Sequence, residues 1–99
     1  MSQTLLHAQA QAEFEFEIGY YEAARPGWGG LLREEVLMTI RRLSDFPQMG
    51  GPEPVGTRKF VTRRFRFVVR YELMDNQILI WAIYHPAREP GHWLARRAP

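Results

Sequence analysis

The chain has 99 residues, enough for one domain with one hydrophobic core and too few for two. Hydrophobic residues make up 45% of it and charged residues 24%, a balance that excludes a disordered chain. It contains no cysteine, which excludes a disulfide scaffold, thiolate zinc sites and thiol nucleophiles. No apolar run reaches the roughly 18 residues of a membrane span, and the N-terminus lacks a secretion-signal pattern. We therefore expect one cytoplasmic domain over residues 1–99.

The formal net charge of +2 hides an asymmetry between the two halves of the chain. Residues 1–54 carry 4 basic and 8 acidic side chains, a net charge of −4, whereas residues 55–99 carry 9 basic and 3 acidic side chains, a net charge of +6. The basic half is suited to binding nucleic acid or an acidic protein. It is equally suited to complementing the acidic half inside one fold. The charge pattern leaves both interpretations open.

The first half of the chain has the spacing of two helices. The first predicted helix covers Gln9–Arg25, and the second begins at Trp28 or Gly30 and ends at Phe46. Pro26 ends the first helix, and so short a connection predicts an antiparallel helical hairpin. The expected core positions are Ala10, Phe14, Ile18 and Tyr21, widened by Phe16 and Tyr20, in the first helix, and Leu32, Val36, Ile40 and Leu43 in the second.

The second half of the chain has the alternating pattern of strands. After a Pro- and Gly-rich loop at Pro47–Gly56, the predicted strands are Thr57–Thr62, Arg64–Leu73 and Gln77–His85, with Thr4–His7 as a candidate short fourth strand. The strand Gln77–His85 is apolar on both faces and is therefore predicted to be central. The closing segment Pro86–Pro99 predicts a short helix that begins near Pro90. The resulting fold class is α+β, with the helical hairpin packed on a three- to four-stranded antiparallel sheet.

Four stretches of the sequence, taken in order, resemble one protein family. They are Ala12-Glu13 with Tyr20-Tyr21-Glu22; Ile40, Leu43 and Phe46-Pro47; Thr57-Arg58-Lys59-Phe60 with Arg64–Tyr71; and Ile83–Trp93, which contains His85, Arg88, Pro90 and Trp93. Together they resemble the ParE branch of the ParE/RelE toxins. The resemblance implies the same α+β fold and a toxin of a type II toxin–antitoxin system, neutralised by a co-encoded antitoxin. It implies no cofactor.

The two branches of that superfamily imply different activities. ParE-like toxins inhibit DNA gyrase by binding, whereas RelE-like toxins cleave mRNA in the ribosome with several basic groups. In the nuclease alternative, the catalytic residues here would be Arg58, Arg66 and His85. Val68 stands where the nucleases have a central-strand arginine, and Trp93 where several have a tyrosine. The set is incomplete, which favours a gyrase inhibitor, with an inactive relative acting as a binding module as a third alternative.

The candidate residues for binding an antitoxin or a target are Arg58, Arg64, Arg66, Arg70, Arg88 and Trp93. Arg64, Arg66 and Arg70 share one face of the predicted strand, either as a phosphate-binding row or as its solvated side. Arg88 and Trp93 are suited to a binding hot spot. Their structural alternatives are an ion pair of Arg88 with Glu13 or Glu17 and packing of Trp93 on the sheet.

The remaining aromatic and histidine residues have mainly structural interpretations. His85 is either a general base or phosphate contact, or it hydrogen-bonds a backbone carbonyl at the end of its strand. His7, His85 and His92 lack the spacing and the accompanying carboxylates of a metal site, so no metal is predicted. We expect Trp81 in the core and Trp28 exposed at the tip of the helical hairpin.

Overall fold

The computed structural model describes residues 3–88 and 93–97. These residues form two α-helices, α1 (Ala8–Ala24) and α2 (Trp28–Asp45), and five β-strands. The strands are β1 (Gln3–Leu6), β2 (Gly51–Pro52), β3 (Arg58–Val61), β4 (Val68–Met74) and β5 (Gln77–Tyr84). Short 3₁₀ turns at Pro54–Gly56, Pro86–Arg88 and Trp93–Arg97 follow β2, β5 and the undescribed segment 89–92.

The strands form one sheet in the order β1-β5-β4-β3-β2. Neighbouring strands are antiparallel except for β1 and β5, which run parallel with Gln3 opposite Gln77. The predicted α+β fold class is therefore confirmed, and the candidate strand predicted at Thr4–His7 exists as β1. Two details differ from the prediction: β1 pairs parallel in a sheet that was expected to be antiparallel, and β2, inside the predicted loop, is a fifth strand. The prediction that β5 is central is also confirmed, because it lies between β1 and β4.

The two helices pack antiparallel on one face of the sheet, as predicted. Pro26 ends α1, and Gly27, at a φ of 93°, turns the chain into α2. The Glu22 carboxylate accepts hydrogen bonds from the backbone N–H groups of Gly27 at 3.0 Å and Gly29 at 3.1 Å. This carboxylate satisfies N–H groups that the first turn of α2 would otherwise leave without partners.

The core between the helices and the sheet contains the predicted residues from α1 and α2, with two corrections. Its fully or nearly buried members are Phe14, Ile18, Leu32, Val36 and Leu43 from the helices and Phe67, Val69, Tyr71, Ile78, Ile80 and Ile83 from the sheet side. Phe16 and Tyr20 do not widen the buried face, since 71% and 58% of their surfaces are exposed. Phe16 follows Phe14 by two residues, or about 200° around the helix, which directs it away from the core.

The predicted strand Arg64–Leu73 is wrong in its first part. Residues 63–66 form a loop, and β4 begins only at Val68. The backbone N–H of Thr62 donates to the carbonyl of Phe67 at 2.8 Å, and the Thr62 hydroxyl accepts from the N–H of Phe67 at 2.9 Å. These two bonds close the loop, and Arg66 completes its turn at a φ of 60°. The three arginines predicted to share a strand face therefore do not form a row.

The apolar side chains of β5 pack on both faces of the sheet, and a shift in register at Trp81 interrupts their alternation. Arg70 pairs with Ala82 but Tyr71 pairs with Ile80, so Trp81 has no partner of its own on β4. Such a β-bulge changes which side chains face each way. Ile80 belongs to the helix-side core, whereas Trp81 and Ala82 both pack in the cluster on the opposite face.

The C-terminal segment covers that opposite face. Trp93 is 7% exposed and packs with Val68, Ala82 and Tyr84. The predicted short helix is a 3₁₀ turn at Trp93–Arg97, and its expected start at Pro90 lies outside the described residues. Both faces of the middle of the sheet are thus covered, one by the helices and the other by this turn.

Candidate functional site

Arg58 lies on β3 and supports the loop that precedes β2. Its Nη1 atom donates to the carbonyl oxygens of Gly50 at 2.6 Å and Gln48 at 3.4 Å. On β4 its partner is Tyr71, whose buried hydroxyl accepts from the N–H of Gly50 and donates to the carbonyl of Pro47. The guanidinium of Arg58 therefore attaches the loop at residues 48–50 to β3.

Arg66 and His85 lie at the opposite end of the sheet from Arg58, Arg66 just before β4 and His85 just after β5. Val68 pairs with Tyr84, so Arg66 precedes and His85 follows this end of the β4–β5 pair. Tyr71, the partner of Arg58, lies three residues from Val68, or about 10 Å along the strand. The three residues of the nuclease alternative are therefore not brought together around one point.

The ring of His85 caps the turn that follows β5. Its Nδ1 atom accepts a hydrogen bond from the N–H of Ala87 at 3.1 Å, and its ring lies edge-on to Phe67 with centroids 5.8 Å apart. The predicted bond to a backbone carbonyl is wrong in its partner, because the ring nitrogen accepts from an N–H group. The role of His85 in fixing a turn is nevertheless the structural one.

Arg70 is buried on the outer face of the sheet instead of lying on a solvated row. Its Nε donates to the Tyr84 hydroxyl at 3.2 Å, its Nη1 donates to Glu53 at 3.3 Å, and its guanidinium lies 4.6 Å from the centre of the Trp93 ring. Burial by itself lowers the pKa of Arg70, but the bonds to Tyr84 and Glu53 outweigh it and raise the pKa above its ordinary value. Arg70 and Trp93 are thus buried structural residues on the outer face of the sheet, where they contact each other.

Arg88 forms the ion pair predicted for it, and the partner is Glu17. Its Nε and Nη2 atoms reach the two carboxylate oxygens at 3.0 Å and 2.6 Å. This bidentate bond raises the pKa of the guanidinium, which also lies over the ring of Tyr20 at 5.4 Å. The pair attaches the turn after β5 to α1.

A groove lies beside this ion pair. It has a volume of about 300 Å³ and is lined by Ala12, Glu13, Phe16, Glu17, Ile83, Tyr84 and Arg88. The exposed ring of Phe16 stands at its edge. The sequence pattern assigned Phe16 to the core, so the groove could not be found from the sequence alone.

Two tryptophans differ from their predicted environments. Trp28 is half-buried instead of exposed, because its ring packs edge-on against Phe65 and carries the guanidinium of Arg25 at 4.8 Å. Trp81 is only partly buried on the outer face, where its Nε1 donates to Glu72 at 3.1 Å.

The sequence reasoning also missed the anchoring of the loop at residues 63–66. The carboxylate of Glu35, on α2, accepts from the N–H of Arg64 at 2.6 Å and the N–H of Phe65 at 2.9 Å. Arg63, Arg64 and Arg66 are exposed there. The run of arginines is the signal for this loop in the sequence, but its alternation with phenylalanine also fits a strand.

Residues 3–88 and 93–97 form neither a cluster that could hold a metal ion nor a helix that could span a membrane. No cluster of three or more histidine, aspartate or glutamate side chains is placed to hold a metal ion in this part of the chain. No helix in it is long and apolar enough to cross a membrane. His92, considered above as a metal ligand, lies outside it.

The architecture defines a class of small α+β proteins in which a helical hairpin covers one face of a mostly antiparallel sheet. A model of the family described as "ParE toxin of type II toxin-antitoxin system, parDE" matches residues 5–90. The chain therefore belongs to the ParE toxin family, as its sequence motifs indicated.

A solved structure described as the chromosomal ParDE TA system from P. aeruginosa is similar to this chain. The two superpose with a TM-score of 0.75 over 86% of this chain and 96% of the other, at 17% sequence identity. So low an identity shows a shared fold and no more. No curated protein sequence matches the chain.

Proposed function

We propose that this chain is a toxin that inhibits DNA gyrase by binding it, and that a cognate antitoxin neutralises it by covering part of its surface. The family membership supports both halves of the proposal. A toxin with this target acts in the cytoplasm, where bacterial DNA and gyrase lie.

The observation that carries the choice of binding over catalysis is the separation of Arg58 from Arg66 and His85. An mRNA endonuclease of the RelE type needs several basic groups around one phosphate. Here Arg58 is bonded to two backbone carbonyls and lies opposite Tyr71 on β4. His85 follows the other end of the β4–β5 pair, about three residues away along β4. The position expected to hold an arginine carries Val68, which is 4% exposed beneath Trp93.

For the antitoxin, the proposed docking surface is the groove beside Arg88 and the adjoining exposed face of α1. Phe16 and Tyr20 expose most of their rings there, and a contiguous apolar surface of this kind is typical of a protein interface. An amphipathic segment of an antitoxin would place its apolar side chains in the groove. Arg88 and Glu17, already paired, would form its polar rim.

The first experiment is tight induction of the chain in bacteria without a partner, with thymidine and methionine incorporation followed in parallel. We expect thymidine incorporation to fall first, and purified chain to inhibit supercoiling by purified gyrase. A prior collapse of methionine incorporation would replace the proposal with the mRNA endonuclease. Unchanged incorporation of both precursors would favour the inactive relative.

A substitution at His85 separates the two activities without breaking the turn. In His85→Asn, the side-chain amide oxygen can still accept from the N–H of Ala87, but no imidazole is left for proton transfer. We expect toxicity and gyrase inhibition to stay within about twofold, whereas an endonuclease that used His85 would lose orders of magnitude in rate.

The antitoxin surface is tested by Phe16→Glu, with Leu37→Glu on α2 as the control. Both side chains are exposed, so both variants should fold. We expect only Phe16→Glu to escape neutralisation by the antitoxin encoded beside this chain. Equal neutralisation of both variants would place the antitoxin elsewhere.

A further inference from the structure

Four of the six residues between β3 and β4 form a rigid, highly basic loop, here called the arginine loop (Arg63–Arg66). Three of its four residues are arginine, and all three are exposed. The paired bonds between Thr62 and Phe67 close its base. The left-handed conformation of Arg66, uncommon for a residue with a side chain, fixes the direction of its last residue.

The arginine loop is also held from the helical side. Its two central N–H groups, from Arg64 and Phe65, donate to the carboxylate of Glu35 on α2. The ring of Phe65 turns inward and packs edge-on against Tyr21 at 5.6 Å and Trp28 at 6.1 Å. The loop therefore holds its three guanidinium groups on a fixed backbone, which lowers the entropy lost when they bind a ligand.

The guanidinium groups of the arginine loop have no ion-pair partner among the residues that the structure describes. Within residues 3–88 and 93–97, Arg63, Arg64 and Arg66 form no ion pair, and the guanidinium of Arg64 lies 5.6 Å from the centre of the Phe65 ring. The carboxylate of Glu35 reaches the loop but is bonded to its backbone N–H groups and not to a guanidinium. By contrast, Arg88, Arg96 and Arg97 each have a carboxylate partner. Three like charges close together repel one another, so an anionic ligand stabilises them.

We propose that the arginine loop is a binding site for the phosphodiester backbone of a nucleic acid, independent of the contact with gyrase. Guanidinium groups bind phosphate oxygens bidentately, and closely spaced arginines suit a ligand with a charge on every nucleotide. Such contacts position a nucleic acid without reading its sequence. The set differs from the predicted row because Arg63 belongs to it and the buried Arg70 does not.

The loop favours phosphate over an acidic protein as its ligand. Protein interfaces are centred on buried aromatic and apolar anchors surrounded by a polar rim. In the arginine loop the one aromatic side chain, Phe65, is half-buried against Tyr21 and Trp28, so the three exposed side chains of the loop are all arginines. The exposed rings of Phe16 and Tyr20 lie on α1, where Phe16 lines the groove proposed for the antitoxin and Tyr20 lies on the adjoining face of the helix.

The test measures the binding of purified full-length chain to a fluorescent duplex DNA of about 20 base pairs over a series of salt concentrations. The variant is Arg64→Gln with Arg66→Gln. The control is Arg33→Gln with Arg41→Gln, which removes the same charge from the exposed face of α2. Circular dichroism and thermal unfolding establish that both variants are folded.

We expect the loop variant to bind duplex DNA about 50-fold more weakly near 0.1 M salt, with a salt slope smaller by about 2, since each lost phosphate contact removes about 1 from the slope. The control should bind within about twofold of the unsubstituted chain. Equal losses in both variants, or no salt-dependent binding by the unsubstituted chain, would overturn the proposal.

Parallel titrations identify the source of the phosphates. Single-stranded DNA and RNA of the same length show which nucleic acid is bound most tightly. Poly-glutamate that binds as tightly as DNA, and with the same dependence on the loop, would contradict the proposal in favour of an acidic protein. Because no titration contains gyrase, loop-dependent DNA binding by a chain that fails to inhibit supercoiling would refute the proposed target and leave this site standing.

Discussion

The Tyr71 side chain shows how one buried hydroxyl closes the connection between the helices and the sheet. The side chain is fully buried, and its hydroxyl donates to the carbonyl of Pro47 at 2.7 Å and accepts from the N–H of Gly50 at 2.9 Å. Any Cβ atom at Gly50 would lie 2.5 Å from that hydroxyl, which accounts for glycine there. A single residue of β4 thus fixes the path of residues 47–50.

Replacing Tyr71 with phenylalanine is expected to lower the free energy of unfolding by about 1–3 kcal/mol, because it leaves a buried N–H and a carbonyl without their partner. For a chain of this length, each kcal/mol lowers Tm by roughly 4–8 °C. Urea and thermal denaturation measure the loss. The matched control is Tyr20→Phe, because Tyr20 is 58% exposed and the loss of its hydroxyl should change stability by less than about 0.5 kcal/mol.

Because the Tyr71 hydroxyl is buried, we expect the free energy of unfolding to fall at alkaline pH. Burial raises the pKa of Tyr71 above its ordinary value of 10.0, against the opposing effect of the Gly50 N–H. A raised pKa in the folded state means that the unfolded chain releases this proton first, so the stability is present below pH 10 and is lost as pH rises through the folded pKa. Urea titrations at about pH 8 and about pH 11 should show a larger loss for the unsubstituted chain than for Tyr71→Phe. Equal losses would contradict this account.

At the scale of elements, the helical hairpin depends on a close approach between its two helices. Gly29 lies in the first turn of α2, where a Cβ atom would be 2.7 Å from the carbonyl oxygen of Ile18 and 2.8 Å from Cβ of Glu22. The same glycine donates its N–H to the Glu22 carboxylate. The crossing of the helices therefore requires that this position have no side chain.

We predict that Gly29→Ala destabilises the chain by about 1–3 kcal/mol, since the backbone of α1 must move to admit the methyl group. Gly30→Ala is the neighbouring control, because a Cβ there meets nothing within 4 Å. Alanine at an exposed helical position should stabilise by about 0.5–1 kcal/mol. Opposite signs from adjacent glycines in denaturation experiments would support the close approach, and two stabilising substitutions would refute it.

The elements differ in how far local sequence determines them. Both helices were predictable to within about two residues, because their spacing and the Pro26-Gly27 break are local signals. The arginine loop was not, since alternating Arg and Phe is also the pattern of a half-buried strand. What makes it a loop is a bond to Glu35, 29 and 30 residues away, together with the Thr62 hydroxyl.

In the candidate site, too, some contacts could be predicted from local sequence and others depend on residues far apart in the chain. The pairing of Arg88 with an acidic residue of α1 could be predicted from charge and element order. The burial of Arg70 could not, because its partners Glu53, Tyr84 and Trp93 come from three separate segments that meet only in the folded chain. Alternation alone assigned Arg70 to a solvated face.

At the scale of the whole molecule, the C-terminal turn acts as a cover for the outer face of the sheet. Arg97 bonds both oxygens of Glu72, and this bond lowers the pKa of Glu72. Arg96 donates to the carbonyl of Trp81 and pairs with Glu13 of α1. These contacts hold Trp93 over the middle strands.

Trp93→Ala is expected to destabilise the chain by about 3 kcal/mol, because it removes a large buried ring and exposes the outer face of β4 and β5. Leu94→Ala is the control, since 51% of Leu94 is already exposed and its loss should cost less than about 0.5 kcal/mol. Thermal unfolding compares the two. Similar small effects would mean that the turn only rests on the sheet.

The parallel pairing of β1 with β5 also sets the order in which the chain can fold during synthesis. Gln3 pairs with Gln77, 74 residues later, and the N–H of His7 donates to the carbonyl of Ile80. At about 5–20 residues per second, the ribosome takes on the order of 4–15 seconds to make that intervening length. The helical hairpin can form early from local contacts, but the first strand has no partner until the last one emerges. Completion of the sheet is therefore a long-range step that can follow only after β5 has been translated.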